Sequence, residues 1–407
     1  MKVFSQGFLG KRRLKKEWDG WTQMRLRGLN TPEPLFYGKT EQGENAVVVE
    51  QIVDSEIVLD VLQNTSEKTQ KVQMLLTVCG ELAKQHEKGI LQKDMHLGNF
   101  LLRGKDIIAL DPGQMKFFKQ PLAKKKSLSQ LAMLLCYLPD EESESISRLC
   151  DAYFKARGWR IEKSDKITIL AQIRKHRKNA IKKGLRKSMR TSRRHLRITT
   201  ARYKAVLCRA FCDGTNPLDL IEQIDTLMDD GKVMKQGNAC YVSRTKWNDR
   251  DIVIKRYNHR GLFYSLRHSF LRSRAHRGWL HGHRLGILEI ATPKPVAFIE
   301  LYKGLVLWQS YLVTDYVEGP RFGQLLEDDR IEQRIRNETR ENICKTIGKL
   351  ALYHITHGDL KHTNILITDE GPVLTDLDGM IVHWWDWTCR RRQARDLESF
   401  NRKRNHS

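Results

Sequence analysis

Two kinds of hydrophobic spacing alternate along this chain. Residues 330–355, RIEQRIRNETRENICKTIGKLALYHI, place Ile331, Ile335, Ile343, Ile347 and Leu350 at helical intervals and predict a long helix with one apolar side. Residues 265–286 carry Leu266, Phe270, Leu271, Trp279 and Leu280 at similar spacing and predict another. Thr292-Pro293 closes that helix, because the residue before a proline is pushed out of the helical region. Elsewhere the pattern shortens to strand-like runs: DIVIKRYN at 251–258, YLVTDYV at 311–317, NILIT at 364–368 and PVLTD at 372–376. Asp369-Glu370-Gly371-Pro372 turns the last two into a hairpin. The chain therefore predicts mixed helix and sheet. Its polar groups fall on the loop before the hairpin and at the hairpin's far end, where a rigid scaffold presents chemistry.

The same arrangement occurs twice. TPEPLFYG at 31–38, VVVEQIVD at 47–54, KDMHLGNFLL at 93–102 and IIALDPGQM at 107–115 come first. TPKPVAFI at 292–299, YLVTDYVEG at 311–319, GDLKHTNILI at 358–367 and PVLTDLDGM at 372–380 repeat the order. Five positions separate Asp94 from Asn99 and Asp359 from Asn364; twelve separate Asn99 from Asp111 and Asn364 from Asp376. Three polar positions at two matching spacings are hard to obtain by chance, so a duplicated domain is expected.

Charge changes the picture next. The chain has 407 residues, with 72 Lys and Arg against 48 Asp and Glu, a formal +24 that favours a polyanionic neighbour. From Arg174 to Arg209, 36 residues hold 15 Lys or Arg and no acid. A second acid-free stretch, Arg256 to Leu288, holds seven Arg. A solvated helical surface with a linker is the plain reading; a dock for anionic headgroups or sugar phosphates is the functional one. Nucleic acid is less favoured, since only Tyr203 among 174–209 could stack on a base. The eight Cys form no CxxC pair, and Cys208 and Cys212 lack His or Cys partners at zinc spacing, so they are expected as plain thiols. The best apolar run, SLSQLAMLLCYL at 127–138, is too short to span a membrane. MKVFSQGFLG at the start has no leader pattern, so neither secretion nor an integral membrane span is expected.

The repeated polar positions suit phosphoryl transfer. Asp359, at a loop start, can orient a hydroxyl and accept its proton. Asn364 and Asp376 offer an amide and a carboxylate oxygen, the donors Mg2+ prefers. Lys255 on its strand can reach nucleotide phosphates, and Lys361 can steady the transferred one. Asp94, Asn99 and Asp111 take the corresponding places in the first copy.

His357-Gly358-Asp359-Leu360-Lys361-His362-Thr363-Asn364 resembles the catalytic loop of protein-kinase-like phosphotransferases, and Thr375-Asp376-Leu377-Asp378 resembles their metal-binding segment. With TPKPVAFIE, YLVTDYVEG, LTDLDGM and ARDLESF, the chain is similar to the bacterial lipopolysaccharide kinase family, the Kdo and heptose kinases of the inner core. The first copy resembles the same family through TPEPLFYG, KDMHLGNFLL, ALDPGQM and LCDAYFKARGW. The resemblance implies an α+β chain of two tandem protein-kinase-like domains, at 1–170 and 226–407, joined by a basic helical linker at 171–225. The first would lack the start of its N-lobe; the second would have a short C-lobe. ATP and Mg2+ are implied as cofactors, and transfer to a sugar hydroxyl of the lipopolysaccharide inner core as the reaction. Implied partners are that core or another anionic glycolipid, and an anionic membrane surface met by the basic segments. The implied location is cytoplasmic, peripheral to the inner membrane. A kinase-like scaffold without catalysis, or a kinase acting on protein or another small molecule, is the alternative.

Departures from the family pattern bear on which copy works. The strand lysine should pair with a glutamate on the following helix. The first copy offers Lys2 and Glu17. The second offers Lys255 but no acid from 256 to 288, so Lys255 is expected either unpaired or held by another acid such as Asp376. Only the second copy has residues for a phosphate roof, 232–255 with Gly237 at a turn, and it is favoured as the active one. Trp384, Trp385 and Trp387 are expected to pack in the core or close the lobes, with a lipid interface as the sharper option. His86 and His354 are expected at helix ends, bonding backbone.

Overall fold

The computed structural model describes residues 1–65, 67–136, 138, 143–212, 215–238, 240–258 and 272–402. It divides into two compact units, Met1–Asn179 and Ala180–Ser407.

In the first unit, β1 (Lys2–Phe4), β2 (Pro34–Lys39) and β3 (Asn45–Val49) form an antiparallel sheet in the order β1-β3-β2. Helix α1 (Phe8–Leu26) buries Leu14, Trp21 and Met24, positions spaced for one helical face. The short β4 (Glu56–Ile57) and α2 (Val58–Asn64) lead to α3 (Lys68–Glu87). Then come β5 (Ile90–Gln92), the hairpin β6 (Phe100–Arg103) and β7 (Asp106–Ala109), and β8 (Met115–Phe117), which pairs back to β5. Helices α4 (Lys124–Leu135), α5 (Ser143–Ala156) and α6 (Lys163–Ser188) follow, and the division between units falls within α6. One core joins these elements, with Leu75, Leu82, Leu97, Phe100, Leu131, Tyr153 and Phe154 almost fully enclosed.

The second unit is organised by a seven-stranded antiparallel sheet. Its strands are β9 (His195–Thr199), β10 (Tyr203–Cys208), β11 (Lys232–Gln236), β12 (Cys240–Trp247), β13 (Arg250–Tyr257), β14 (Pro295–Lys303) and β15 (Val306–Asp315), in the order β11-β12-β13-β15-β14-β10-β9. Helices α7 (Pro217–Glu222) and α8 (Ile224–Asp229) cover one face through Leu220, Ile224 and Met228. Helix α9 (Arg274–Ile287) covers the other, with Trp279 fully buried against Val206 and Phe298. Beyond the sheet lie α10 (Phe322–Glu327), α11 (Gln333–Leu352), β16 (Ile355–Thr356), the hairpin β17 (Ile365–Thr368) and β18 (Gly371–Leu374), β19 (Ile381–Val382) and α12 (Asp386–Asn401). Ile343, Ile347, Leu350, Ile365, Leu374 and Phe400 make their common core.

Several sequence expectations change here. Of the helix expected at 265–286, residues 265–271 lie outside the described residues, and the described helix starts at Arg274. Ser273 caps it by accepting from the His276 amide at 3.0 Å, an arrangement worth about 1 kcal/mol. Ile335, assigned to the apolar side of the long helix, is exposed, because burial on α11 is confined to Ile343, Ile347 and Leu350 further along. The linker expected at 171–225 is not a continuous helical segment: α6 ends at Ser188, β9 and β10 follow before the short α7 and the start of α8, and β10 pairs with β14 from Tyr203↔Leu301 to Leu207↔Ala297. Exposed Arg and Lys side chains at 193, 194, 197, 202 and 204 hide strands that bury His195, Ala205, Val206 and Leu207.

Candidate active site

In the second unit the strand-end Asp376 has a left-handed backbone, φ 59° and ψ 54°. That conformation costs a non-glycine residue about 1–2 kcal/mol and persists only where surroundings hold it. Lys255 sits in the middle of the sheet, paired with Val242 of β12 and Leu312 of β15. Its ammonium donates to Asp376 Oδ1 and lies 3.8 Å from Asp378 Oδ1. Arg274, the first residue of α9, brings Nε and Nη2 each to 2.6 Å from Asp378 Oδ2. Acids and bases thus alternate: Asp376, Lys255, Asp378, Arg274. Burial pushes the Asp376 carboxyl up, but hydrogen bonding to Asp378 and the Lys255 charge hold it well below the usual range. Burial and the bond to Asp376 raise Asp378, against the pull of Lys255 and Arg274. Lys255 is therefore held by Asp376, the second of the two arrangements the sequence allowed.

The acid-bearing loop is fixed to the same strand end. His357 Nε2 donates to the Thr375 carbonyl at 2.9 Å, and the Thr375 amide donates to the Asn364 carbonyl at 2.9 Å. Asn364 Nδ2 donates to Asp359 O at 2.8 Å and Oδ2 at 3.3 Å. Lys361 Nζ stands 2.6 Å from Asp359 Oδ1, both side chains about half exposed. From α12, Asp396 accepts the His357 amide at 2.7 Å and the Gly358 amide at 3.0 Å. Gly358 has φ 82°, and a Cβ there would lie 2.4 Å from the Gly379 carbonyl oxygen, so only glycine fits. Burial lowers the His357 pKa against the neighbouring carboxylates, so the ring is neutral and its proton sits on Nε2 facing Thr375.

The first unit repeats much of this. Lys2 Nζ lies 2.7 Å from Glu17 Oε1 and 3.1 Å from Asp111 Oδ1. Burial alone would lower the Lys2 pKa, but Glu17 and Asp111 raise it overall. Burial raises Glu17 despite Lys2. Asp111 is left-handed like Asp376, φ 54° and ψ 58°. Asn99 Nδ2 donates to Asp94 O at 2.8 Å. Gly113 admits the glutamate, since a Cβ there would stand 2.2 Å from Glu17 Oε2. Where Asp396 steadies the second loop, Gln130 of α4 steadies the first: the Gln92 amide donates to its Oε1 at 3.1 Å.

Sequence reasoning missed three residues here. Arg274 lies in the acid-free stretch, where the family pattern calls for a carboxylate rather than a base. Asp396 stands inside ARDLESF, and Gln130 inside the apolar run at 127–138. Gly237 does fall in the β11–β12 turn, its amide donating to the Cys240 carbonyl at 3.1 Å. A Cβ there would meet only that oxygen, at 3.9 Å, so sterics do not demand glycine. His86 bonds the side chains of Tyr153 and Gln130 rather than backbone, and His354 takes φ 55° after α11, the place Gly89 takes with φ 70° after α3. The three tryptophans are 84%, 67% and 65% exposed, which overturns core packing for Trp384, Trp385 and Trp387.

Comparison with known proteins bears on the second unit. Residues 226–407 match the Lipopolysaccharide kinase (Kdo/WaaP) family. That family is one of phosphotransferases, and the matched span holds Lys255, Arg274, Asp359, Asn364, Asp376 and Asp396. The EKC/KEOPS complex subunit BUD32 of Debaryomyces hansenii is 31% identical over 101 residues, 23% of this chain and 38% of that protein. The chain thus spans little more than a third of that relative's length. A solved structure of WaaP in complex with acyl carrier protein aligns at 18% identity over 47% of this chain and 76% of that one, with a TM-score of 0.35. That superposition is too loose to assign anything to this chain.

Proposed function

We propose that the chain is an ATP- and Mg2+-dependent phosphotransferase that phosphorylates a sugar hydroxyl of the lipopolysaccharide core, with the second unit carrying the transfer. The family match over 226–407 supports the reaction class. The observation that carries the reading is the junction at Thr375, which ties the loop of Asp359 and Asn364 to the strand end where Lys255 meets Asp376.

The residues present fit Mg2+. Asp376 is kept ionised, and Asn364 commits Nδ2 to Asp359, leaving Oδ1 as its acceptor atom. Both are oxygen donors of the kind this ion takes. ATP supplies the phosphoryl group, and Mg2+ neutralises charge on its phosphates. Lys255, now on Asp376, is the cation that turns to the nucleotide's phosphates. Asp359 orients the acceptor hydroxyl and takes its proton. Lys361, now on Asp359, balances charge on the transferred group. Arg274 and Asp396 position these groups.

Both units derive, in this reading, from one duplicated kinase-like domain. Their loops share hydrogen bonds that spacing alone does not impose. Thr31 Oγ1 donates to Ala109 O at 2.9 Å, and Thr292 Oγ1 to Leu374 O at 2.8 Å. The Leu110 amide donates to Asn99 O at 2.8 Å, as the Thr375 amide does to Asn364 O at 2.9 Å.

An anionic membrane surface is the proposed setting. Among the described residues no helix is long and apolar enough to cross a membrane. Of the Lys and Arg between 174 and 209, Arg177 alone is buried. Exposed bases near an anionic leaflet contribute about 1 kcal/mol each, and exposed Trp384, Trp385 and Trp387 beside Arg390, Arg391 and Arg392 add an interfacial anchor.

The test is incubation of the full chain with labelled ATP, Mg2+ and core oligosaccharide. Wild type and Asp94→Asn should label the oligosaccharide, and Asp359→Asn should not. Label lost only with Asp94→Asn would move the chemistry to the first unit. Nucleotide bound without any transfer would leave a scaffold.

A further inference from the structure

We infer that His195, Cys208 and His283 form a zinc site that clamps the β9–β10 hairpin to helix α9. The three offer ligand atoms that all lie within 4.8 Å of one another. They come from three elements of the second unit. His195 and Cys208 are direct cross-strand partners in the β9–β10 ladder, which puts their side chains on one face of the sheet. His283 reaches that face from α9.

The cluster is poorly explained as packing alone. His283 Nε2 is buried and has no hydrogen-bond partner among the described residues. Two imidazoles stand edge to face with centroids 5.0 Å apart, and Trp279 closes over both, at 5.7 Å from His195 and 4.3 Å from His283. Charges acting on the two imidazoles come from Arg194 and from each other, while the Asp315 carboxylate acts on Cys208. A buried polar atom without a partner costs about 1–3 kcal/mol, and a bound cation removes that cost.

The donor set selects the ion. Two imidazole nitrogens and one thiolate suit Zn2+, with a fourth position left for water. Tetrahedral zinc places such ligand atoms about 3.3–3.6 Å apart, so from separations within 4.8 Å closing the cluster takes a contraction of at most about 1.2–1.5 Å per pair, within reach of side-chain rotation. Burial lowers His195 and takes His283 down to about 4, so both are neutral and ready to ligate near neutral pH. Burial pushes the Cys208 thiol up to about 12. The thiol hydrogen now points to the Pro295 carbonyl, 3.2 Å from Sγ; binding replaces the S–H bond with S–Zn and releases that proton to solvent.

The site would matter for catalysis without touching it. Helix α9 begins with Arg274, whose guanidinium holds Asp378, and His283 lies nine residues along the same helix. Zinc would thus fix the helix that presents Arg274. This inference does not depend on the proposed substrate.

The experiment is metal analysis of the purified full chain after equilibration with limiting zinc and gel filtration. Wild type should retain one zinc per chain and show a raised Tm with zinc. Cobalt(II) should give tetrahedral absorption with a thiolate charge-transfer band. Cys208→Ser should lose that band, and His283→Gln should lower zinc affinity at least tenfold. Cys212→Ser, the neighbouring thiol, should change neither. Circular dichroism of each variant without metal controls for folding. Should His283→Gln fold poorly, Cys208→Ser with its cobalt spectrum decides alone. No retained zinc in folded wild type, or a charge-transfer band that survives Cys208→Ser, would overturn the assignment. So would uptake of copper(I) with zinc refused.

Discussion

Arg274 grips Asp378 through two nitrogens that converge on one carboxylate oxygen, each at 2.6 Å. Asp378 is also within 3.8 Å of Lys255. The stretch after Lys255 has no acid to pair with it, and the network is built in reverse: the following helix supplies a base, and both acids come from the strand end. Lys255 and Arg274 then share two carboxylates, of which Asp376 stays ionised and Asp378 is raised.

Breaking that grip should be measurable. Arg274→Ala leaves Asp378 buried with one cation fewer and should cost about 1–3 kcal/mol, below the figure for a fully buried pair because Arg274 is partly exposed. Urea unfolding of Arg274→Ala, Asp378→Asn and the double variant checks it. The arginine change should cost clearly less in the Asp378→Asn background. Equal costs in both backgrounds would mean the pair is uncoupled.

Asp396 is expected to act through the loop it holds. Asp396→Asn replaces an anion that accepts two backbone amides, His357 and Gly358, and should lose about 1–3 kcal/mol locally. Hydrogen exchange at those amides should accelerate tenfold or more, while β13 and β15 are unaffected. Unchanged exchange would remove Asp396 from its positioning role.

The buried histidine of the first unit sets an acid limit. Burial takes His86 down to about 3 from an ordinary 6.5, opposed by its bond to Gln130 and helped by Arg157. The unfolded chain therefore binds a proton between those values that the folded unit does not. Its stabilisation is complete above pH 6.5 and falls as pH drops toward 3, by up to about 1.4 kcal/mol per pH unit from this group. His281, also taken to about 3, adds the same sign in the second unit. Unfolding measured from pH 4 to 7 should show a shallower slope for the first unit in His86→Gln; an unchanged slope would count against the assignment.

A single methyl should separate Glu17 from Lys2. Gly113→Ala puts Cβ 2.2 Å from Glu17 Oε2, so the carboxylate or the turn must move. A loss of about 1–3 kcal/mol is expected. Glu17→Gln should reduce the penalty little, since the clash is steric, whereas Glu17→Ala should relieve most of it.

Much of this was legible in the sequence because it is local. The β17–β18 hairpin and the Asp-to-Asn and Asn-to-Asp spacings follow from turn residues and periodicity, and they stand where the pattern put them. What escaped depends on distance in the chain. Arg274 and Asp378 are 104 residues apart, and Gln92 and Gln130 are 38 apart. Charge also misled: the basic run to Arg209 reads as a linker, yet alternation buries Ala205 and Leu207 in a central sheet. Cys208 lacked a zinc spacing because its partners come from a paired strand and a helix, an arrangement that only strand register reveals.

The central claim is that the Asp359 loop and the Asp376 strand end converge to hold a magnesium-bound nucleotide. Calorimetric titration of the full chain with a non-hydrolysable ATP analogue, with and without Mg2+, tests it most directly. Binding should require Mg2+ and weaken tenfold or more in Asp376→Asn, about 1.4 kcal/mol. Binding indifferent to both Mg2+ and that substitution, or no binding at all, would contradict the account.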